Sequence, residues 1–272
     1  MDKFKERTTV LSQKEIAGGI YDLTLQTKEI AAAAKAGQFV SVYCNDGSRL
    51  LPRPISLCGF DRAKGTIRLV YRVAGKGTDE LSGLKPGDTV EVLGPLGNGF
   101  SILPGKTALL IGGGIGVPPM LQLAKDITAG AAMGLEDAEG DAIPQIQIVM
   151  GYRDAQTFLL DEFKAVGETS VATENGSVGT KGNVLDAIRE KEIKADVIYA
   201  CGPKPMLRAL AEYAAQNHME CFVSMEERMA CGIGACLACV CKTKETDGHS
   251  HVHNTRICKE GPVFDAREVD LS

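Results

Sequence analysis

Thr107-Ala-Leu-Leu-Ile-Gly-Gly-Gly-Ile-Gly-Val-Pro-Pro-Met120 reads as a short apolar strand, a glycine-rich turn and the opening of a helix. Thr107 to Ile111 is apolar almost throughout, the pattern of a strand buried on both faces of a parallel sheet. Val117 to Ile127 follows as a helix. The same rhythm recurs downstream: a strand at Gln145–Met150, a helix end at Asp186–Arg189, a strand at Asp196–Ala200 and a helix over Lys204–Gln216. Alternating β and α segments imply a parallel sheet covered by helices on both faces. Thr128 to Ile143, rich in Ala and Gly, is expected to be a helix tail and a surface loop.

Upstream of this stretch the pattern is all-β. Tyr21–Gln26, Gln38–Tyr43 and Thr66–Arg72 alternate apolar and polar residues, with turn signals at Asn45-Asp-Gly47 and Pro86-Gly-Asp88. Regularly spaced short strands predict a small barrel. One short helix interrupts it, with Thr78 expected at the N-cap and Asp79 and Glu80 in its first turn. Downstream, the segment from residue 221 has no evident core of its own and is expected to be held by a metal centre. The predicted class is thus β plus α/β. Residues 1–103 form the barrel domain, 104–220 a parallel-sheet nucleotide-binding domain and 221–272 a small C-terminal module.

A chain of 272 residues has room for two domains and an appendage. The net charge of −5, without any block of like charges, argues against a nucleic-acid partner, which needs a basic face. Met-Asp-Lys-Phe-Lys-Glu-Arg at the start has no apolar h-region. The longest apolar stretch, Thr107–Met120, is interrupted by four glycines and two prolines and is too short to span a bilayer. A cytoplasmic protein, not in a membrane, is the expectation. Its nine cysteines then point to reduced thiols and metal ligation, not disulfides.

Four of those cysteines fall in Met229-Ala-Cys-Gly-Ile-Gly-Ala-Cys-Leu-Ala-Cys-Val-Cys241, and Cys258 follows after a polar loop. Read as Cys231-x4-Cys236-x2-Cys239 closed by Cys258, they have the plant-type spacing of a 2Fe–2S cluster. Small residues between them allow a tight loop whose N–H groups point at sulfur. Zinc is the competing reading, but zinc sites usually pair C-x2-C motifs, which fits the spacing poorly. Cys241 could stand in for Cys239, and the spacing favours Cys239. Cys44, Cys58 and Cys221 sit in apolar runs and read as packing residues. His249, His251 and His253 lie in a polar segment read as a solvated loop.

Two further patterns concern nucleotides. In Arg53-Pro-Ile-Ser56, Pro54 holds the strand extended, so that the backbone of Ile55 and Ser56 can face the edge of a planar ring. Arg53 offers a guanidinium to a phosphate, and the Gly77-Thr78 helix start offers N–H groups to an anion. Val70-Tyr-Arg72 lies between them in sequence. In the second domain, Gly112-Gly-Gly-Ile-Gly-Val-Pro-Pro119 would let a dinucleotide approach the backbone closely. It departs from the standard fingerprint, because Val117 stands where a third glycine is usual. Its companion is Cys201-Gly-Pro-Lys-Pro-Met206, after a second parallel strand.

In their order and spacing these motifs resemble the ferredoxin–NADP reductase superfamily. That resemblance implies FAD on the barrel, with Arg53 at the pyrophosphate and Ser56 near the reactive flavin nitrogen. Tyr71 and Arg72 would lie beside the ring or the phosphates, and Gly77 and Thr78 at the pyrophosphate. It also implies that Gly112, Gly113, Gly114, Gly116 and Pro118 form one wall of a nicotinamide nucleotide site. Cys201, Gly202, Pro203 and Met206 would form the other, with Cys201 near the nicotinamide. Arg153 could meet a 2′-phosphate or be solvated, so NAD and NADP both stay open.

A cluster that moves single electrons and a nicotinamide that takes a hydride need a flavin between them. The run Met-Ala-Cys-Gly-Ile-Gly-Ala-Cys-x-Ala-Cys-Val, closed by Cys258-Lys-Glu-Gly-Pro-Val-Phe264, is similar over the whole chain to electron-transfer subunits of class 1B dihydroorotate dehydrogenases. Thr173-Glu-Asn-Gly-Ser177 and Gly182 share in that similarity. The family implies an FMN-containing catalytic partner that oxidises dihydroorotate in pyrimidine biosynthesis. Electrons would pass through the 2Fe–2S cluster and FAD to NAD+, in a heterotetramer of two chains of each kind. Related subunits of ferredoxin–NADP oxidoreductases, sulfide dehydrogenases or hydrogenases are the alternative. Some of these carry Asp where this chain has Cys231.

Overall fold

Six antiparallel strands open the chain: β1 (Phe4–Ala17), β2 (Ile20–Gln26), β3 (Phe39–Val42), β4 (Arg53–Asp61), β5 (Thr66–Arg72) and β6 (Thr89–Leu96). They close into a barrel in the order β1-β2-β5-β4-β3-β6. The architecture comes from a computed structural model, which describes residues 2–132, 146–246 and 252–272. Alternation along each strand sends Val10, Leu23, Leu25, Val40, Val42, Ile55, Leu57, Ile67, Leu69 and Val92 into one barrel core. Helix α1 (Glu29–Ala33) closes one end with Ile30 and Ala31 buried.

Helix α2 (Lys76–Ser82) starts three residues earlier than its sequence suggests. Gly75 is the cap, and Thr78 is the third helical residue. Its Oγ1 reaches back to accept from Ala74 N (2.9 Å) and Gly75 N (3.2 Å). The Thr78 hydroxyl thus satisfies donors ahead of the helix instead of those inside it. The Pro86-Gly-Asp88 turn is present, with Gly87 at φ +94° and Asp88 N donating to Lys85 O. Asn45-Asp-Gly47 makes no tight hairpin; it belongs to the longer connection between β3 and β4.

A second, mostly parallel sheet follows. β7 (Ala108–Gly113) leads through a 3-10 turn at Gly114–Gly116 into α3 (Val117–Ala132). Next come β8 (Ile146–Tyr152), α4 (Leu160–Lys164), β9 (Glu168–Thr173), β10 (Thr180–Lys181) and α5 (Val184–Glu190). β11 (Val197–Cys201), α6 (Lys204–Gln216) and β12 (Glu220–Ser224) complete it. Residues 133–145 lie outside the described residues, so the loop expected before Ile143 does too. Asp186 and Arg189 fall within short α5, where the Asn183 side chain caps Leu185 N and Asp186 N.

The remaining strands are short. β13 (Val240–Lys242) and β14 (Asn254–Arg256) pair antiparallel, and β15 (Val263–Asp265) joins the large sheet antiparallel to β12. The sheet order is β10-β9-β8-β7-β11-β12-β15. Strand order therefore reverses between β7 and β11, which makes their carboxyl ends the switch point where doubly wound sheets bind ligands.

The chain divides into two compact units, Met1–Gly99 with Glu226–Pro262 and Phe100–Met225 with Val263–Ser272. The cysteine-rich segment shares the first unit with the barrel, while Cys221 is a buried residue of the parallel sheet. No helix among the described residues is long and apolar enough to cross a membrane.

Candidate functional site

In the first unit the barrel has an open seam. β4 pairs with β3 through Arg53↔Val42, Pro54↔Ser41, Ile55↔Val40 and Ser56↔Phe39. Its ladder to β5 begins only at Leu57↔Leu69. Residues 70–72 of β5 pair instead with β2. One backbone edge of Arg53–Ser56 is thus left outside the β5 ladder, where it can meet the edge of a planar ring. Ile55 points into the core, so its share in such a contact is backbone, while Pro54 is exposed and Ser56 half-buried. Tyr71 points inward as well. Its ring stacks on Tyr21 at 6.0 Å and its hydroxyl accepts from Gln13 Nε2 at 2.9 Å. Burial pushes the Tyr71 phenol up to about 12. Strand alternation therefore places the Tyr71 ring in the core, so that its contact with a flavin or its phosphates would be through backbone, and leaves Val70 and Arg72 on the outer face.

Arg53 lies across the first turn of α2. A Cβ on Gly77 would stand 1.8 Å from Arg53 Nε and 2.2 Å from Cζ, so only glycine lets the guanidinium rest there. The guanidinium also donates to Leu51 O. The half-buried Cys44 thiol, expected to be mere packing, is directed at Gly77 O at 3.8 Å. A fixed guanidinium beside a helix start is a fit for a pyrophosphate. Thr78 can contribute only backbone there, because its hydroxyl is taken by the cap.

The cysteine loop lies on the same barrel. Gly232 (φ +68°) and Gly234 (φ +87°) curl the chain so that Ile233 N (3.4 Å), Ala235 N (3.3 Å) and Cys236 N (3.4 Å) all donate to Cys231 Sγ. Cys231 N donates to Cys236 Sγ, and Cys258 N to Cys239 Sγ, both at 3.4 Å. Burial opposes ionisation of Cys231, but these N–H groups and the Cys236 thiol outweigh it and bring its thiol to about 6. Burial, reinforced by the neighbouring Cys239 thiol, pushes Cys258 up to about 12. These backbone contacts link the cysteines two by two, Cys231 with Cys236 and Cys239 with Cys258. No three His, Cys, Asp or Glu groups among the described residues converge where one ion would sit. Two thiol pairs suit two irons bridged by sulfide better than one zinc, which wants four donors around a point.

Cys241 sits in β13 opposite Thr255. Arg256 Nη1 holds Gly234 O at 2.9 Å. The far end of the loop is anchored by Asn98, whose N–H donates to Gly261 O at 2.6 Å and whose Nδ2 donates to Glu260 O at 3.0 Å. His249 and His251 lie outside the described residues; the His253 ring meets the Thr246 hydroxyl at 2.7 Å.

In the second unit the two nucleotide motifs meet at the switch point, with Gly112 in register with Cys201. A Cβ on Gly116 would be 2.4 Å from Cys201 O, and one on Gly113 would be 2.5 Å from Met206 Sδ. A Cβ on Gly202 would meet Met206 Cε, also at 2.5 Å, and one on Gly112 would meet Val117 Cα at 2.8 Å. These glycines are thus required by the packing of one turn against the other. Gly114 differs: its φ is +56° and nothing stands within 4 Å of its Cβ position, so the open approach to the turn is there. Pro118 lies in the buried first turn of α3, Pro203 caps α6, and Cys201 is fully buried. Arg153, just past β8, is exposed.

Comparison with known proteins agrees with this layout. An oxidoreductase FAD-binding domain matches residues 8–100, an oxidoreductase NAD-binding domain residues 110–212, and the iron-sulfur cluster binding domain of dihydroorotate dehydrogenase B residues 226–270. The dihydroorotate dehydrogenase B (NAD(+)) electron transfer subunit of Bacillus caldolyticus is 46% identical over 272 residues, covering 98% of this chain and 99% of that one. The chain belongs to this family of electron transfer subunits. Its counterpart from Caldanaerobacter subterraneus subsp. tengcongensis is 42% identical, with coverage of 98% and 99%. Among solved structures, a chain of the NADH-dependent reduced ferredoxin–NADP oxidoreductase superposes with a TM-score of 0.84 at 28% identity, covering 98% of this chain and 90% of that one.

Membership of the family makes this an oxidoreductase subunit with FAD, NAD and iron–sulfur binding domains. Ser41 is the residue the sequence reading passed over. As the polar member of an alternating strand it looks solvated, yet it is buried beneath the cysteine loop.

Proposed function

We propose that this chain carries electrons from a dihydroorotate-oxidising, FMN-containing partner subunit to NAD+, in a cytoplasmic complex of two chains of each kind. When bound, the 2Fe–2S cluster supplies single-electron transfer, and FAD supplies exchange between single electrons and a hydride. Cys231, Cys236, Cys239 and Cys258 hold the cluster, with loop N–H groups offsetting its negative charge. Arg53 and the α2 start, with Gly77 and the Thr78 backbone, hold the FAD pyrophosphate. The free edge of Pro54, Ile55 and Ser56 lines the flavin ring opposite Val70–Arg72. Gly112, Gly113, Gly114, Gly116 and Pro118 form one wall of the nicotinamide site, and Cys201, Gly202, Pro203 and Met206 the other.

One observation supports the relay above all. Gly232, next to Cys231, lies on Ser41, and Ser41 is the cross-strand neighbour of Pro54. Directly opposed residues in a sheet have Cβ atoms about 4.5–5.5 Å apart. The cysteine loop therefore packs on β3, the immediate neighbour of the strand that carries Arg53–Ser56. Ile233 and Leu237 are exposed apolar residues on that loop and suit an approaching partner.

The test is anaerobic. Mixed with an FMN-containing dihydroorotate dehydrogenase subunit, the chain should be reduced by dihydroorotate, bleaching flavin and iron–sulfur absorbance, and should then reduce NAD+. Reduction by NADH without any response to dihydroorotate and that partner would favour a subunit of another complex.

A further inference from the structure

Ser41 is 1% exposed, and its Oγ has no hydrogen-bond partner among the described residues. Its neighbours Val40 and Val42 point into the barrel core, so Ser41 points out from β3, where a serine ordinarily meets water. Here the cysteine loop takes the place of water. A Cβ on Gly232 would be 2.9 Å from Ser41 Oγ and 3.2 Å from Leu96 Cδ1, so a glycine at 232 is what lets loop and hydroxyl touch. A buried hydroxyl without a partner costs free energy that alanine would not, so its presence calls for an acceptor. Cys231, the residue before Gly232, already gathers three N–H donors around its sulfur. The chemistry on that side of the loop is that of electron-rich sulfur.

We propose that Ser41 donates its hydroxyl hydrogen to sulfur on the Cys231 side of the 2Fe–2S cluster. It would then be a positioning residue that sets the cluster's reduction potential. This rests on the reading of Cys231 as a cluster ligand. A donor aimed at cluster sulfur favours the reduced, more negative state and raises the potential. Ser41 is also the cross-strand neighbour of Pro54, which ties it to the strand that would line the flavin.

The test is a redox titration of the FAD- and cluster-containing chain, followed by electron paramagnetic resonance. It compares wild type with Ser41→Ala, Ser41→Val and Ser41→Thr. Val and Thr have the same shape and differ only in the hydroxyl, so any effect of bulk is common to both. Reduction of the cluster should become about tenfold less favourable in Ser41→Ala and Ser41→Val, a fall of about 59 mV for one electron. Ser41→Thr should stay close to wild type. Beyond the couplings of the loop N–H groups, which all four proteins share, one further exchangeable-deuteron coupling in D2O should be present in wild type and Ser41→Thr, and lost in the other two. Equal potentials in Val and Thr, with the deuteron coupling unchanged, would overturn the proposal even if Ser41→Ala failed to keep its cluster. A wild-type chain without an iron–sulfur signal would overturn the reading of Cys231 itself.

Discussion

The guanidinium of Arg53 rests on Gly77, where a Cβ would stand 1.8 Å from its Nε. Two residues far apart in sequence thus define one anion site, and each is needed for a different reason. Arg53 supplies charge, and Gly77 supplies the space in which the charge is held. Gly77→Ala should push the guanidinium away and lower FAD retention nearly as much as Arg53→Ala. The expected loss is about tenfold or more in affinity, as for removal of a charge-assisted hydrogen bond worth about 1.5–3 kcal/mol. Flavin absorbance per protein after gel filtration measures it, with far-ultraviolet circular dichroism unchanged.

At the switch point, two glycines should behave oppositely. Gly116→Ala drives a Cβ to 2.4 Å from the Cys201 carbonyl oxygen, which is backbone and cannot swing aside. It should cost about 1–3 kcal/mol of stability and lower the thermal midpoint clearly. Gly114→Ala meets nothing, and only its φ of +56° resists, at about 1–2 kcal/mol. Its methyl group would occupy the open approach to the turn, so NADH binding should weaken more than its stability loss explains. Titration of NADH against both variants separates the two effects.

Cys239 and Cys241 are two residues apart, and the geometry ranks them. Cys239 is paired with Cys258, whereas Cys241 belongs to the β13–β14 ladder. Cys239→Ser should lose most of the bound iron and sulfide, and Cys241→Ser should keep both. Iron and sulfide assays on anaerobically purified protein decide it, and the reverse outcome would exchange the two assignments.

Glu80 ties the β3–β4 connection to α2. It accepts from Asn45 N at 2.6 Å and Asp46 N at 3.0 Å, and pairs with Arg49. Burial raises its pKa, but these donors together with Arg49 outweigh it and hold the carboxyl below the ordinary carboxylate value of 4.5. A carboxylate depressed in the folded state contributes stability above its unfolded pKa, and that stability is lost as pH falls through the folded one. Glu80→Gln should therefore lower the unfolding free energy measured in urea at pH 7 by about 1–2 kcal/mol. The difference should shrink as pH falls below about 4.5. A gap that persists undiminished in acid would mean that charge is not the cause.

Much of the fold was legible in local pattern. The period-2 strands of the barrel, the α6 span from Lys204 to Gln216 and the glycine turn after β7 follow from residues that are neighbours in sequence. The start of α2 was misplaced because Thr78 has the chemistry of a cap. Gly75 takes that role, and the Thr78 hydroxyl bonds backward to Ala74 N and Gly75 N. The resemblance puts Tyr71 beside the flavin ring or its phosphates without saying which way its side chain points. Alternation fixed by its pairing with Tyr21 turns it into the core.

By itself the sequence determined the order of the parts and the chemistry each could support: a flavin-type strand, a nucleotide turn and a cysteine set with cluster spacing. Those properties depend on residue type and short spacing, which the chain carries wherever it goes. Only the tertiary structure decided which parts meet. It set Gly232 upon Ser41, Arg53 upon Gly77 and the Gly116 turn upon Cys201, across separations of 24 to 191 residues. Such contacts come from barrel closure and parallel crossover. Their signature in sequence is only a glycine or a serine, residues common enough to pass for turns and solvent until the neighbour that requires them is in place.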